Sequence, residues 1–306
     1  MPAADQVKRI ADSHHHLWDL RLNRYPWLQG EPEDPADPLG VGMLQRDYLV
    51  ADLLADTADL PLVASVHVEA AHDTADPVRE TRWLQSVADR DGFPTVIVAA
   101  ATLEAPDAAD VLAAHREYAA VRGIRQMLDR NPVSGASEET ALMDDPKWRR
   151  GFARLAPLGL SFDLQVLPSQ LDVAARLAAD FADTVFVLNH GGYHVPASAG
   201  QRDVWRRGVR LLARRPNVVV KLSGYDEVDP GWSVDGYADY ACTLLDAFGV
   251  DRVLFGSNFP VDGRTTSYPA LVATTVAVTA GLTADERDRL FYRNTVRTYR
   301  IAGGED

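Results

Sequence analysis

The chain is poor in cysteine, in basic charge and in long apolar runs, and each shortage removes a class of protein. A single cysteine, Cys242, in 306 residues cannot close an intrachain disulfide, so a disulfide-stapled secreted scaffold is excluded. No apolar run approaches the roughly 18 residues that span a bilayer; the richest stretches are interrupted by charge or proline, and no membrane partner is expected. Lysine and arginine number 31 against 44 acidic residues, a formal charge of −13. A nucleic-acid partner is therefore excluded, because phosphate binding draws its affinity from clustered cations. Residues 1–11 lack the apolar segment of a signal peptide, and with one cysteine the expected address is cytoplasmic. There is no internal repeat, and the acidic, proline-containing GEPEDPADPLG is the one biased tract.

What the chain does contain is an alternation of short apolar, β-branched runs with amphipathic stretches. Eight runs read as strands: KRIADSH from Lys8, PLVASVHVEA from Pro61, TVIVAAAT from Thr95, VRGIRQM from Val121, LSFDLQV from Leu160, TVFVLNHGG from Thr184, NVVVKLSG from Asn217 and DRVLFGSN from Asp251. Between them, residues 77–91, 108–119, 168–182, 202–215 and 235–248 have helical period and length. Near-continuous apolar strands such as VVVKL are the mark of a buried parallel sheet. Eight β-then-α units with no GxGxxG after the first strand predict an α/β fold of the (β/α)8 TIM-barrel type, not an open dinucleotide-binding sheet. A single domain over residues 1–306 is expected, with 19–42 as an extended loop that forms a lid, Pro26, Trp27 and Leu28 packing over the mouth.

In this architecture the chemistry lies at the C-terminal ends of the strands. The first strand ends in Asp12, His14, His15 and His16. Strict alternation puts Asp12, His14 and His16 on one face and His15 on the other. Two imidazoles so spaced can meet one divalent ion or can be core histidines. The second strand brings His67 and Glu69 to one face, with Ala64, Val66 and Val68 on the other. The sixth ends in Asn189 and His190 before two glycines. Arg125 and Lys221 sit on strands too apolar to bury a cation unpaired. Arg125 is expected to clamp a substrate carboxylate; Lys221 is expected either to bind substrate or to form a salt bridge with Asp12, Glu69, Asp163 or Asp262. Asp163 and Gln165 share a face of the fifth strand, Gln165 as a supporting substrate contact. Trp18 and Trp27 are the tryptophans nearest the mouth; Trp83, Trp148 and Trp205 read as packing between helices. His72 and His115 read as solvated, His194 as lining the mouth or facing water, Cys242 as a small buried hydrophobe, and RNPVSG from Arg130 as an active-site loop.

Taken together, ADSHHHLWD with YPWL, HVEA with Glu80 and Thr81 downstream, GIRQ, VLNHGG, VVVKLSG and FGSNFPVD resemble the amidohydrolase superfamily. The resemblance narrows to the branch holding L-fuconolactonase, L-rhamnonolactonase and 2-pyrone-4,6-dicarboxylate lactonase, and runs from about Ile10 to Tyr299. It implies a hydrolase that attacks a carbonyl carbon, often with a divalent metal. His14 and His16 match the first-strand metal ligands, His190 the histidine after the sixth strand, and Arg125 a substrate-side arginine. Two departures stand out. The lactonases usually carry glutamine in the second-strand motif where HVEA stands, and Asn258 occupies the place of the usual eighth-strand aspartate.

A carboxamide cannot act as a general base near neutral pH, which leaves three readings of a catalyst. In one, a divalent metal, zinc first, is held by His14 and His16 with Glu69 or His190, and a histidine or Asp262 takes the proton from water. In the second, no metal is needed: His67 or His190 is the base while Arg125 or Lys221 steadies the oxyanion. In the third the chain is a metal-dependent decarboxylase. A barrel that binds a metabolite without turning it over is the alternative outside catalysis, and Asn258 speaks for it. The reading carried forward is a lactonase acting on a small molecule, the lactone of a sugar acid or a related carboxylated ring, with a homodimer left open.

Overall fold

The strands form where the apolar runs stand. In the computed structural model, which describes residues 7–30, 41–128, 141–193, 199–225 and 231–303, they are β1 Ile10–His15, β2 Leu62–Val68, β3 Val96–Ala100, β4 Val121–Met127, β5 Ser161–Gln165, β6 Phe186–Leu188, β7 Val218–Leu222 and β8 Val253–Phe255. They hydrogen-bond in chain order as one parallel eight-stranded sheet. Helices return the chain between them, among them Arg79–Asp91, Ala108–Arg116, Leu171–Asp180, Ala199–Ala213 and Val234–Phe248. This is the expected barrel. The stretch 168–182 opens with a 3-10 turn, Pro168–Gln170, because proline's fixed φ and missing N–H suit the first turn of a helix.

The barrel closes on a seam. β8 ends after three residues, and the segment beyond it completes the wall: His15 bridges Phe259, Asn258 N–H donates to the His14 carbonyl at 2.7 Å, and His16 N–H to that of Phe259 at 2.7 Å. Asp12 clamps the same seam, accepting from Ser257 N–H at 2.9 Å, Ser257 Oγ at 2.6 Å and Tyr268 Oη at 3.1 Å.

Val66, Val68, Val96, Val98, Val187 and Leu254, from four different strands, pack on one another with Tyr299, so these positions face the barrel interior. Tyr299 enters from the last helix, Asn294–Tyr299, and its hydroxyl meets Asp163 at 2.9 and 3.1 Å. Outside the strands a second layer holds Trp148, Phe152, Phe162, Phe186 and Trp205, all fully buried. The packing role expected of Trp148 and Trp205 is met.

Several local expectations are corrected. Strict alternation fails on β1, where the register slips between Asp12 and His15. Asp12 therefore turns outward to Tyr268 while His14 meets Lys221 inside the barrel. His72 and His115 are buried, not solvated; His115 bonds Thr81 Oγ1 at 3.0 Å and the Ala100 carbonyl at 2.9 Å. Cys242 is exposed. Of the expected lid, 31–40 lie outside the described residues, as do His194 and the RNPVSG loop.

Candidate active site

Three imidazoles meet at the C-terminal end of the barrel. The His14 ring lies 5.0 Å from that of His16 and 4.4 Å from that of His190, centroid to centroid. His14 comes from β1, His16 from the residue beyond its end, and His190 from the turn after β6. That turn is strained: His190 has φ 51° and ψ 36°, a left-handed conformation that costs a side-chain-bearing residue energy and recurs at functional sites. Trp205 Nε1 holds the turn by donating to the Gly191 carbonyl at 2.8 Å. Gly224, after β7 with φ +64°, is the floor beneath His190; a Cβ there would stand 2.2 Å from His190 Nδ1.

Burial holds all three imidazoles well below the usual histidine range, with Lys221 adding to the effect at His14 and Arg125 at His16 and His190. They are neutral at pH 7. His16 Nδ1 pairs with the Val68 carbonyl at 2.7 Å; a carbonyl only accepts, so Nδ1 carries the hydrogen and Nε2 the lone pair. His190 Nδ1 is 3.0 Å from Ser223 Oγ. His14 Nδ1 is 3.3 Å from Lys221 Nζ, and His14 Nε2 is buried with no hydrogen-bond partner among the described residues.

Both expected cations have partners already. Arg125 Nε donates to Glu69 Oε1 at 2.6 Å, Nη1 to Gln165 Oε1 at 2.7 Å, and Nη2 to the Glu69 carbonyl. Glu69 Oε2 in turn accepts from Ala71 N–H at 2.8 Å. Glu69 is thus spent on Arg125 and is not presented to an ion with the histidines, and Arg125 is not an uncommitted clamp. Lys221, fully buried, donates to Asp163 Oδ1 at 2.5 Å. The salt bridge is the alternative realised for Lys221.

His67 departs furthest from expectation. With Val66 and Val68 facing the interior, it points outward with Ser65, toward Glu80 on the helix Arg79–Asp91; its Nε2 is 3.8 Å from Glu80 Oε1. It stands outside the barrel interior, behind the mouth, its ring 6.2 Å from that of His16 and 6.1 Å from that of His15. Asn258 keeps its place, in the left-handed region at φ 55°. Its Nδ2 donates to Asp262 Oδ1 at 2.9 Å, which brings a buried carboxylate to the end of β8. Trp18 is buried, its ring 6.4 Å from that of His16 and nearly parallel to it, while partly exposed Trp27 donates to the Ala70 carbonyl at 2.8 Å beyond β2. A cavity of about 270 Å³ beside Trp18, Tyr48 and Phe259 contains none of the imidazoles.

Sequence reasoning gave no role to Ser223 and Gly224, although SG directly after VVVKL occupies a strand end, where such a role is expected. Asn189 was noted only as His190's neighbour. It is fully buried, two residues beyond inward-facing Val187, and neither amide atom has a hydrogen-bond partner among the described residues.

The donors fit a divalent ion chemically: neutral imidazoles, one with Nδ1–H anchored so that Nε2 is the coordinating atom, and a buried His14 Nε2 that has no partner among the described residues and coordinates in the tautomer that leaves it bare. Among the described residues, no three His, Cys, Asp or Glu side chains are already gathered closely enough to hold one.

Comparison with known proteins agrees with this geometry. A family model described as amidohydrolase matches residues 11–301. The uncharacterized protein y4mH of Sinorhizobium fredii is 40% identical over 298 residues, covering 95% of this chain and 98% of that one. An L-fucono-1,5-lactonase of Burkholderia multivorans is 31% identical over 306 residues, covering 95% of each. The crystal structure of a Burkholderia multivorans amidohydrolase with bound zinc superposes with a TM-score of 0.81 at 29% identity, covering 95% of this chain and 99% of that one. With a family match that reaches from β1 to the last helix, laid over a barrel with polar side chains at its strand ends, the chain belongs to the amidohydrolase family.

Proposed function

We propose that the protein is a lactonase that opens the cyclic ester of a neutral, hydroxyl-bearing sugar acid by attack of water at the carbonyl carbon. The observation that carries this reading is the charge state of the mouth. Three neutral imidazoles stand beside two cations, each balanced by its own carboxylate, Arg125 by Glu69 and Lys221 by Asp163. A carboxylated ring would have to displace one of those partners, against a molecule of net charge −13. A neutral polyol needs only donors and acceptors, and the amide of Asn189 offers both. The 31% identity to an L-fucono-1,5-lactonase supports the same substrate class.

The roles follow from the hydrogen bonds. A divalent ion at His14 and His16, zinc by analogy with the zinc-bound relative, would polarise the lactone carbonyl and bring the pKa of water to about 7. His16 is turned by the Val68 carbonyl so that its Nε2 lone pair is the reactive atom. His190, neutral and set by Ser223 and Gly224, is given the proton-accepting role. Asp262, oriented by the Asn258 amide, is its second; Asn258 positions a carboxylate that it does not itself supply. Arg125 and Gln165 shape the opposite wall.

The test is a pH-stat screen of neutral aldonolactones, with CO₂ detection on aromatic carboxylates run in parallel. Acid release from a neutral lactone is expected. CO₂ release with no lactone opened would replace this reading by a decarboxylase, and silence for the parent and for Asn258→Asp alike would favour a binding protein. Metal analysis of untagged protein beside His14→Ala is expected to find zinc lost in the variant; full activity in metal-free parent would remove the ion from the reading.

A further inference from the structure

His67 is fully buried between β2 and the segment that leaves β1. The Leu17 N–H donates to its Nδ1 at 3.0 Å. A backbone N–H can only donate, so Nδ1 holds the lone pair and the ring's single hydrogen is on Nε2. Nε2 has no hydrogen-bond partner among the described residues and faces Glu80 Oε1 at 3.8 Å; Glu80 is itself buried and accepts from Ala70 N–H at 3.2 Å. The residues on either side of Leu17 belong to the mouth. His16 contributes the lone pair discussed above, and Trp18 stacks beside its ring. Residues 16–18 have left the β1 ladder and are secured by single bonds: His16 N–H to Phe259, Leu17 N–H to His67, and Trp18 N–H to the Tyr48 carbonyl at 2.9 Å. The imidazole stands where a neighbouring strand would otherwise supply an acceptor.

We infer that His67 is a positioning residue: its Nδ1 is the built-in acceptor for Leu17, Glu80 steadies its Nε2–H, and together they set the angle at which His16 and Trp18 face the mouth. His67 takes no proton from substrate. The inference rests on the hydrolase reading of the site only for its kinetic test.

Side-chain geometry separates positioning from chemistry. In His67→Asn the amide oxygen falls near the place of Nδ1 and can still accept from Leu17. In His67→Gln it reaches toward the place of Nε2, and in His67→Leu there is no acceptor. His67→Asn is expected to keep kcat/KM within about tenfold of the parent, the worth of about one hydrogen bond. His67→Leu and His67→Gln should fall by about 100-fold, as a misplaced reactive group does, mainly in kcat and with the pH profile unchanged in shape. Glu80→Gln should fall between them. An Asn variant as inactive as the Leu variant while equally folded by circular dichroism would overturn the inference. So would loss of the acidic limb of the pH profile, or a Leu variant as active as the parent.

A second readout needs no substrate. In the ¹⁵N spectrum of histidine-labelled protein, the His67 ring, assigned by its disappearance in His67→Asn, should show a bare Nδ1 and a protonated Nε2 from about pH 6 to about pH 8. The opposite tautomer overturns the inference. If the parent opens no lactone, the proposed reaction fails, and the tautomer still decides the role of His67.

Discussion

Gly224 shows how little slack the mouth has. A methyl group there would overlap the His190 imidazole and would also have to hold a left-handed backbone. Gly224→Ala is therefore expected to lower kcat/KM by about 100-fold while leaving the fold intact; a variant with parental kinetics would show that the position of His190 does not matter. Arg125 belongs to a different kind of residue. Its guanidinium ties together Glu69, the Glu69 carbonyl and Gln165; burial is the largest single influence and disfavours the charge, but Glu69, Tyr193 and Asp163 together outweigh it and keep the group charged. Arg125→Met would strand a buried carboxylate, a loss of about 3–5 kcal/mol. It should appear as a lower urea midpoint and as equal losses with neutral and carboxylated lactones. A loss confined to carboxylated substrates would restore Arg125 as an anion clamp. The residue types of the mouth were legible in the sequence, because polar groups at the ends of apolar strands stand out. Their partners were not: Arg125 with Glu69 is a pair 56 positions apart, and Lys221 with Asp163 one 58 apart.

Among the elements, the seam between β1 and the segment after β8 carries the most function per residue, since the same few bonds close the barrel and set His14, His16 and Asn258. Asp12 holds it through Ser257 and Tyr268. Ser257→Ala removes the shortest of these contacts and should destabilise the fold by about 1–3 kcal/mol, with a loss of activity larger than that of a comparable change elsewhere in the outer layer. Denaturation curves and kinetics on the same preparation would check it; unchanged stability would mean that the seam is held by its backbone bonds alone. The last helix is the other element with a double duty, since Tyr299 fills the barrel interior and donates to Asp163 beneath His14. Strand positions were readable from apolar runs, and the lengths of the longer helices nearly so. The slip in β1 was not, because a one-residue irregularity leaves the composition of the strand untouched and reverses which side chains face inward.

For the molecule as a whole, buried neutral histidines make stability depend on pH in a definite direction. Burial brings His15 and His67 down to about 3 and His115 to about 4, against about 6.5 in the unfolded chain. Below that value the unfolded state binds more protons, so stability is fully present at higher pH and is lost as pH falls toward 4, by about 1.4 kcal/mol per pH unit for each ring. Asp12, raised by burial to about 6, acts oppositely between about 4 and 6, where the folded state holds the extra proton. The histidines outnumber it, and urea unfolding at about pH 7 and about pH 5 should show a clear net loss on acidification. A flat profile would mean that these rings are not held neutral in the folded state. The acidic surplus gains a meaning too: the four interior charges of the two mouth pairs cancel, so those pairs contribute nothing to the net charge of −13.

Chain order, the eight strands and the crowding of histidines at strand ends are local properties, written in apolar period and in the residues that interrupt it, and they were enough for the barrel and for the whereabouts of its mouth. The direction in which each side chain points was decided only by folding. His67 and His14 look alike in sequence, each at the end of an apolar strand. One is turned outward to Leu17 and Glu80 and the other inward to Lys221 and His190, because strand register and the seam with β8 set their faces. The seam joins parts of the chain more than 200 residues apart and His67 meets Leu17 50 positions away, separations that no local pattern encodes.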